Sequence, residues 1–175
     1  MFKSIACFAV AAATTLVASA PAQAASDHSY HDHLAGMIKQ AGVSLYINHK
    51  ACWEEDSFGF YISSYKAMVV CQENKTSPNV IVPWTEEDYD TLRHEAQHMI
   101  QDCMIGGLGD DKLLSVYTEP VALAQKHLTS SHIEGIINAY SDESEEVIIL
   151  ELEAFTVAAL NDPMDQAKDI QKYCF

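Results

Sequence analysis

The stretch from Thr85 to Met104 constrains the fold most. Thr85 followed by Glu86, Glu87 and Asp88 is a helix start, with a capping hydroxyl and then acids facing the positive end of the helix dipole. The helix is predicted to run to about Met104 and to stop at Gly106-Gly107. Leu92, Ala96, Met99 and Cys103 recur at helical spacing, so one stripe of this helix must be covered by a core. His94 and His98 fall on the opposite side, where no core requirement explains them.

Those two histidines belong to the run His94-Glu95-Ala96-Gln97-His98, an HExxH pattern. Residues i and i+4 stand ~40° apart around a helix, so both imidazoles can reach one metal ion. Glu95 projects ~100° from His94, beside the pair, where a carboxylate can take a proton from water held by that ion. Two histidines and a water leave a zinc site one protein ligand short.

The third ligand is expected in Glu146-Val147-Ile148-Ile149-Leu150-Glu151-Leu152-Glu153-Ala154-Phe155. Carboxylates here lie within an otherwise apolar helix, where an unpaired charge is costly. Val147, Ile148, Ala154 and Phe155 surround Glu151 at i±3 and i±4, so this carboxylate needs a cation. Glu153, flanked by Ile149, Leu150, Thr156 and Val157, is the rival.

HExxH followed by a Glu on a later helix resembles the gluzincin zinc metallopeptidases. Glu151-Leu152-Glu153-Ala154-Phe155 is similar to the E-x-x-A-(D/N) signature of the CAAX-protease and HtpX-like peptidases and of the ImmA/IrrE group, which maps the ligand onto Glu151. The thermolysin-like and aminopeptidase patterns map it onto Glu153 instead. Glu151 is preferred. Phe155 stands where those signatures carry Asp or Asn to support a ligand histidine, which leaves that task to Gln101 or Asp102. The resemblance further implies an edge strand above the zinc that pairs with extended substrate, at the position of the hairpin Gly59–Tyr61 to Ala67–Val70.

Met1 to Ala24 reads as a signal peptide: Lys3, an apolar stretch from Ile5 to Ala20, and Ala22-Gln23-Ala24 as the cleavage site. The expectation is export, to a periplasm or the medium, and no membrane attachment once the signal is removed. Residues 25–175 then keep Cys52, Cys71, Cys103 and Cys174. An even count in an exported chain implies two disulfides. Cys52–Cys71 and Cys103–Cys174 is the preferred pairing.

The rest of the chain reads as one α+β domain, a small antiparallel sheet followed by a helical, zincin-like half. Strands are expected at Val43–Ile47, Phe58–Ile62 and Ala67–Cys71, with a brief extended piece at Asn79–Val82. Helices are expected at Leu34–Ala41, Pro120–Leu128, Ile133–Tyr140, Asp142–Leu160 and Met164–Tyr173, besides the HExxH helix. Ala25 to His33, with His28, His31 and His33, reads as a mobile polar terminus, with weak metal binding by the three histidines as the alternative. Trp53 and Trp84 are expected in the core. Tyr61, Tyr117, His127, His132 and Tyr140 are candidates to stabilise an oxyanion.

A formal net charge of −15, from 10 Lys+Arg and 25 Asp+Glu, excludes a binder of polyanionic backbones. Nucleic acid is therefore not an expected partner, and a peptide or protein substrate is. The function these residues point to is an exported peptidase with one Zn²⁺ per chain, held by His94, His98 and Glu151, and a water activated by Glu95. Two alternatives stay open: an inactive zinc-binding protein of the same fold, and a disulfide-stabilised interaction module. Oligomeric state is not readable.

Overall fold

The computed structural model describes residues 5–6, 28–54, 57–160 and 162–175. The expected signal peptide, residues 1–24, lies outside the described residues except for Ile5–Ala6. The architecture is α+β: a small sheet in the first half, then helices that pack around one central helix. Among the described residues no helix is long and apolar enough to cross a membrane.

The first helix, α1 (Ser29–Gln40), starts five residues before the expected Leu34. Its first turn is held onto the central helix by side chains that read as a mobile terminus. His28 stacks on Tyr89 at 4.3 Å between ring centroids, and buried His31 meets Arg93 Nη1 at 2.6 Å through Nε2. Burial and the Arg93 guanidinium lower the His31 pKa to about 4, so the ring is a neutral acceptor. The chain leaves α1 through Gly42, whose φ of +92° is a left-handed conformation that suits glycine.

The strands are short: β1, before α1, is Ile5–Ala6, and after it come β2 Ser44–Ile47, β3 Gly59–Ile62 and β4 Ala67–Val70. β3 and β4 form the expected antiparallel hairpin, turned by Ser63–Tyr65 with Lys66 at φ +47°. β2 pairs with β4 in parallel, in the order β1-β3-β4-β2, so the sheet is mixed. The crossover between β2 and β3 makes a 3₁₀ turn over Lys50–Trp53, and the Cys52–Cys71 disulfide clips that turn to the end of β4. Trp53 is 44% exposed on this turn, with Lys75 6.0 Å above its ring, and is not a core residue. Trp84 is half-buried, packing against the core and stacking on Tyr89.

Asn79–Val82 forms no strand. It is instead bound by side chains: Asn48 donates to the Val80 carbonyl at 2.7 Å, and Gln72 donates to the Val82 carbonyl at 2.8 Å and accepts from its N–H at 2.9 Å. Asn48 and Gln72 are fully buried and bonded to each other. The extended piece expected here therefore joins no ladder: the Asn79 and Val80 N–H groups donate to the Asn48 and Ser77 carbonyls, and the Asn48 and Gln72 side chains hold Val80 and Val82.

α2 (Glu86–Cys103) is capped by Thr85 and Asp88 in a reciprocal capping box. Sheet, α1 and α6 (Pro163–Tyr173) cover its apolar stripe in a core that includes Leu34, Ile38, Met68, Leu92, Met99 and Ile170. α5 (Glu145–Leu160) covers its other side, so every residue from Thr91 to Cys103 is buried. α5 begins at Glu145 and not Asp142, because the Ser144 hydroxyl accepts from the Val147 N–H and caps the helix there. α3 (Pro120–His127) and α4 (Ser130–Ala139) pack on the outer face of α5 around a second cluster of Ala124, Ile136, Tyr140 and Leu152. Cys103–Cys174 ties the end of α2 to the residue after α6.

Candidate metal centre

The interface between α2 and α5 carries the site. His94 and His98 stand one turn apart on α2, with their Nε2 atoms 3.0 Å from each other. Glu151 reaches across from α5, one oxygen 3.3 Å from His94 Nε2 and the other 3.4 Å from His98 Nε2. Two ligands at bonding distance on a tetrahedral zinc stand roughly 3.3 Å apart. The three ligand atoms therefore enclose a point at which one ion could be held. Among the described residues this is the group of His, Cys, Asp and Glu side chains with such convergence. His28, His31 and His33 do not converge: His31 points to Arg93, His28 lies on Tyr89 and His33 is exposed.

Burial makes the arrangement informative. His94 is 2% exposed, His98 1% and Glu151 0%. Among the described residues no well-formed hydrogen bond satisfies either carboxylate oxygen of Glu95 or Glu151: the Tyr61 backbone N–H acts on Glu95, and only the two imidazoles face Glu151. A buried carboxylate without donors or a cation is strongly disfavoured, and here two face one pair of imidazoles. Burial pushes Glu95 up to about 8, against the weaker pull of His98. Burial disfavours the charged form of His98 as well, but the Glu151 carboxylate outweighs it and raises that ring to about 9. His94 is lowered, burial being the main cause. Without an ion, the cluster must hold protons to balance its charge. A divalent cation balances the two carboxylates and uses both Nε2 lone pairs, so the residues fit such an ion.

The two rings are supported differently. The His98 Nδ1–H donates to Gln101 Oε1 at 2.8 Å, so Nε2 is the nitrogen that would give its lone pair to an ion. Of Gln101 and Asp102, it is Gln101 that bonds a ring of the pair. Asp102 instead accepts from the Tyr61 hydroxyl at 2.7 Å and the Gly109 N–H at 3.0 Å. His94 Nδ1 has no hydrogen-bond partner among the described residues, and the Phe155 ring lies edge-on to the His94 ring at 4.4 Å.

Glu153 does not join the cluster. Its Oε1 accepts from Gln97 Nε2 at 2.9 Å, Gln101 Nε2 at 3.0 Å and the Val116 N–H at 3.1 Å. Its Oε2 accepts from the Tyr117 N–H at 3.1 Å and closes on the Ser115 hydroxyl. These neighbours fill the lone pairs of a carboxylate, so Glu153 is engaged as an anchor outside the group formed by His94, His98 and Glu151. Gln97 and Gln101, spaced i, i+4 beside the histidine row, were the signal in the sequence that α2 meets a second acceptor on α5.

β3 closes the site from the sheet side. A Cβ built on Gly59 would lie 2.6 Å from Thr91 Cγ2, 2.8 Å from the Val69 carbonyl and 3.2 Å from Glu95 Cγ. Only glycine lets the strand pass this close to α2. Of the oxyanion candidates, Tyr61 is on β3 with its hydroxyl engaged by Asp102, Tyr140 is buried in the outer cluster, and Tyr117, His127 and His132 are exposed.

No curated protein and no solved structure matches the chain. Residues 27–175 match the family described as Domain of unknown function (DUF8637), a stretch that contains the whole site and leaves the predicted signal segment outside. The chain belongs to the DUF8637 family.

Proposed function

We propose that the chain is an exported zinc-dependent peptidase, with His94, His98 and Glu151 as ligands and Glu95 as general base. The observation that carries this reading is the buried convergence of two Nε2 atoms and the Glu151 carboxylate, with the buried and poorly satisfied Glu95 carboxylate beside them. Zinc is preferred because two imidazoles and one carboxylate with a position left open match its catalytic sites. When bound, zinc supplies Lewis acidity, polarising a carbonyl and lowering the pKa of water toward about 7. Glu95 takes one proton from the attacking water at a carboxylate oxygen and returns it to the amine nitrogen as the peptide C–N bond breaks. The outer edge of β3, where Ile5–Ala6 pairs antiparallel, offers main-chain groups for an extended peptide. Two disulfides, and a signal-like segment outside the family match, support export.

A structural metal site is the second reading, favoured by the complete burial of Glu95. The deciding experiment is a peptide-hydrolysis assay of the zinc-loaded chain beside Glu95→Gln. The peptidase reading expects turnover by the wild type and its loss, with zinc retained, in the variant. Zinc binding without turnover of any peptide in a broad library leaves the structural reading in place.

A further inference from the structure

Glu153 and Gln101 are buried polar residues that the proposed chemistry does not use, and they form one continuous chain of hydrogen bonds to a ligand. Gln101 Nε2 donates to two acceptors, Glu153 Oε1 and the Leu150 carbonyl, both at 3.0 Å. Its amide therefore cannot turn over: the NH₂ end must face those oxygens, so Oε1 faces His98. An acceptor opposite His98 Nδ1 requires that nitrogen to carry the ring proton, and the lone pair is then on Nε2, toward Glu151 and His94. Glu153 also holds the segment 104–119 that joins α2 to α3. It accepts from the Val116 and Tyr117 N–H groups, while Gln101 accepts the Leu114 N–H through its own carbonyl at 3.0 Å.

We propose that Glu153 is a positioning residue for the metal centre: it fixes the Gln101 amide, which sets the His98 tautomer that presents Nε2 to the metal, and it ties the 104–119 segment to the same lock. The proposal rests on the metal-site reading above but goes beyond its ligands. It makes the segment and the centre two ends of one network, so that loosening either loosens the other. Loss of an outer hydrogen-bond partner of a ligand lowers metal affinity about 10–100-fold.

The test is a double-mutant cycle on zinc affinity, by competition with a chromophoric chelator, using the disulfide-bonded chain with Glu153→Gln, Gln101→Leu and both together. Each single variant is expected to bind one zinc with about 10–100-fold lower affinity. The double variant is expected to bind no more weakly than Gln101→Leu, because Glu153 acts through Gln101. Cobalt(II) bound in place of zinc is expected to keep its wild-type visible spectrum in Glu153→Gln, since no ligand is lost. Losses that simply add, unchanged affinity in Glu153→Gln, or an altered cobalt spectrum would overturn the proposal. A measurement that needs no variant is ¹⁵N NMR of the zinc-loaded wild type. Coordination of His98 through Nε2 with a slowly exchanging Nδ1–H is expected, and coordination through Nδ1 overturns the lock. A wild-type chain that binds no zinc fails differently: it removes the metal-site reading itself, together with what rests on it.

Discussion

Glu95 shows what the site demands of single residues. Its side chain is fully buried beside Gly59, where β3 passes so close to α2 that an added Cβ would collide with Thr91. Gly59→Ala sets a Cβ against the Val69 carbonyl, a backbone atom that cannot step aside. The expected cost is about 1–3 kcal/mol of stability, as for other overpacked positions, read as a lower midpoint in urea. Charge at the site gives a second expectation. The Glu95 pKa is raised from 4.5 to about 8 and that of His98 from 6.5 to about 9. A group whose pKa is raised by folding stabilises the fold below its unfolded pKa and loses that contribution as pH climbs to the folded value. Both contributions therefore fade between pH 6.5 and 8 in chelated protein, and its Tm is expected to fall across that window. Zinc replaces the protons, so the slope is expected to be flatter in the loaded chain. Equal slopes with and without zinc would contradict this charge balance. The pattern of His94, Glu95, His98 and Glu151 was legible in the sequence because helical spacing alone brings the first three together. The anchoring role of Glu153 was legible only in part: Gln97 and Gln101 hinted at an acceptor on α5, but its apolar neighbours resemble those of Glu151, and its contact with residues 115–117 lies 36 to 38 positions away.

At the scale of elements, α2 is the spine, and both of its sides are packed. Its polar side is buried against α5 through Gln97, Gln101, His94 and His98, each with a partner on that helix or within the site. Arg93, also buried, joins three helices by donating to the Ala158 carbonyl at 3.0 Å and Asp90 at 2.9 Å and by meeting His31. Helix caps and the hairpin could be read locally because Thr85, Asp88 and Lys66 act within a few residues of their own position. The parallel placement of β2 could not, since a four-residue alternation says nothing about which neighbour it joins. The disulfides then fix what the hydrogen bonds arrange. Loop-closure entropy makes the longer loop the more stabilising. Separations of 71 and 19 residues give about 4 kcal/mol for Cys103–Cys174 and about 3 kcal/mol for Cys52–Cys71. Paired Cys→Ser variants are expected to rank in that order in denaturant unfolding. The reverse order would mean that α6 docks well without its covalent tie.

Among the described residues, two of the three apolar clusters flank the candidate metal centre. The larger lies between the sheet, α1, α2 and α6, and the smaller between α3, α4 and α5, with Phe155 reaching from the smaller cluster to the His94 ring. An ion held by α2 and α5 therefore links both halves, and metal binding and folding should be coupled. Saturating zinc is expected to raise the Tm, and excess chelator to reverse the gain, with the midpoint depending on free zinc. A Tm indifferent to both would contradict that coupling. Metal content per chain, measured on the purified wild type beside His94→Ala, Glu151→Ala and, at saturating zinc, Glu153→Gln, decides whether these residues hold an ion. One zinc in the wild type and in Glu153→Gln, with loss in the other two, is the predicted result. A folded wild-type chain that takes up no zinc when it is supplied, or that keeps it in Glu151→Ala, would contradict the account.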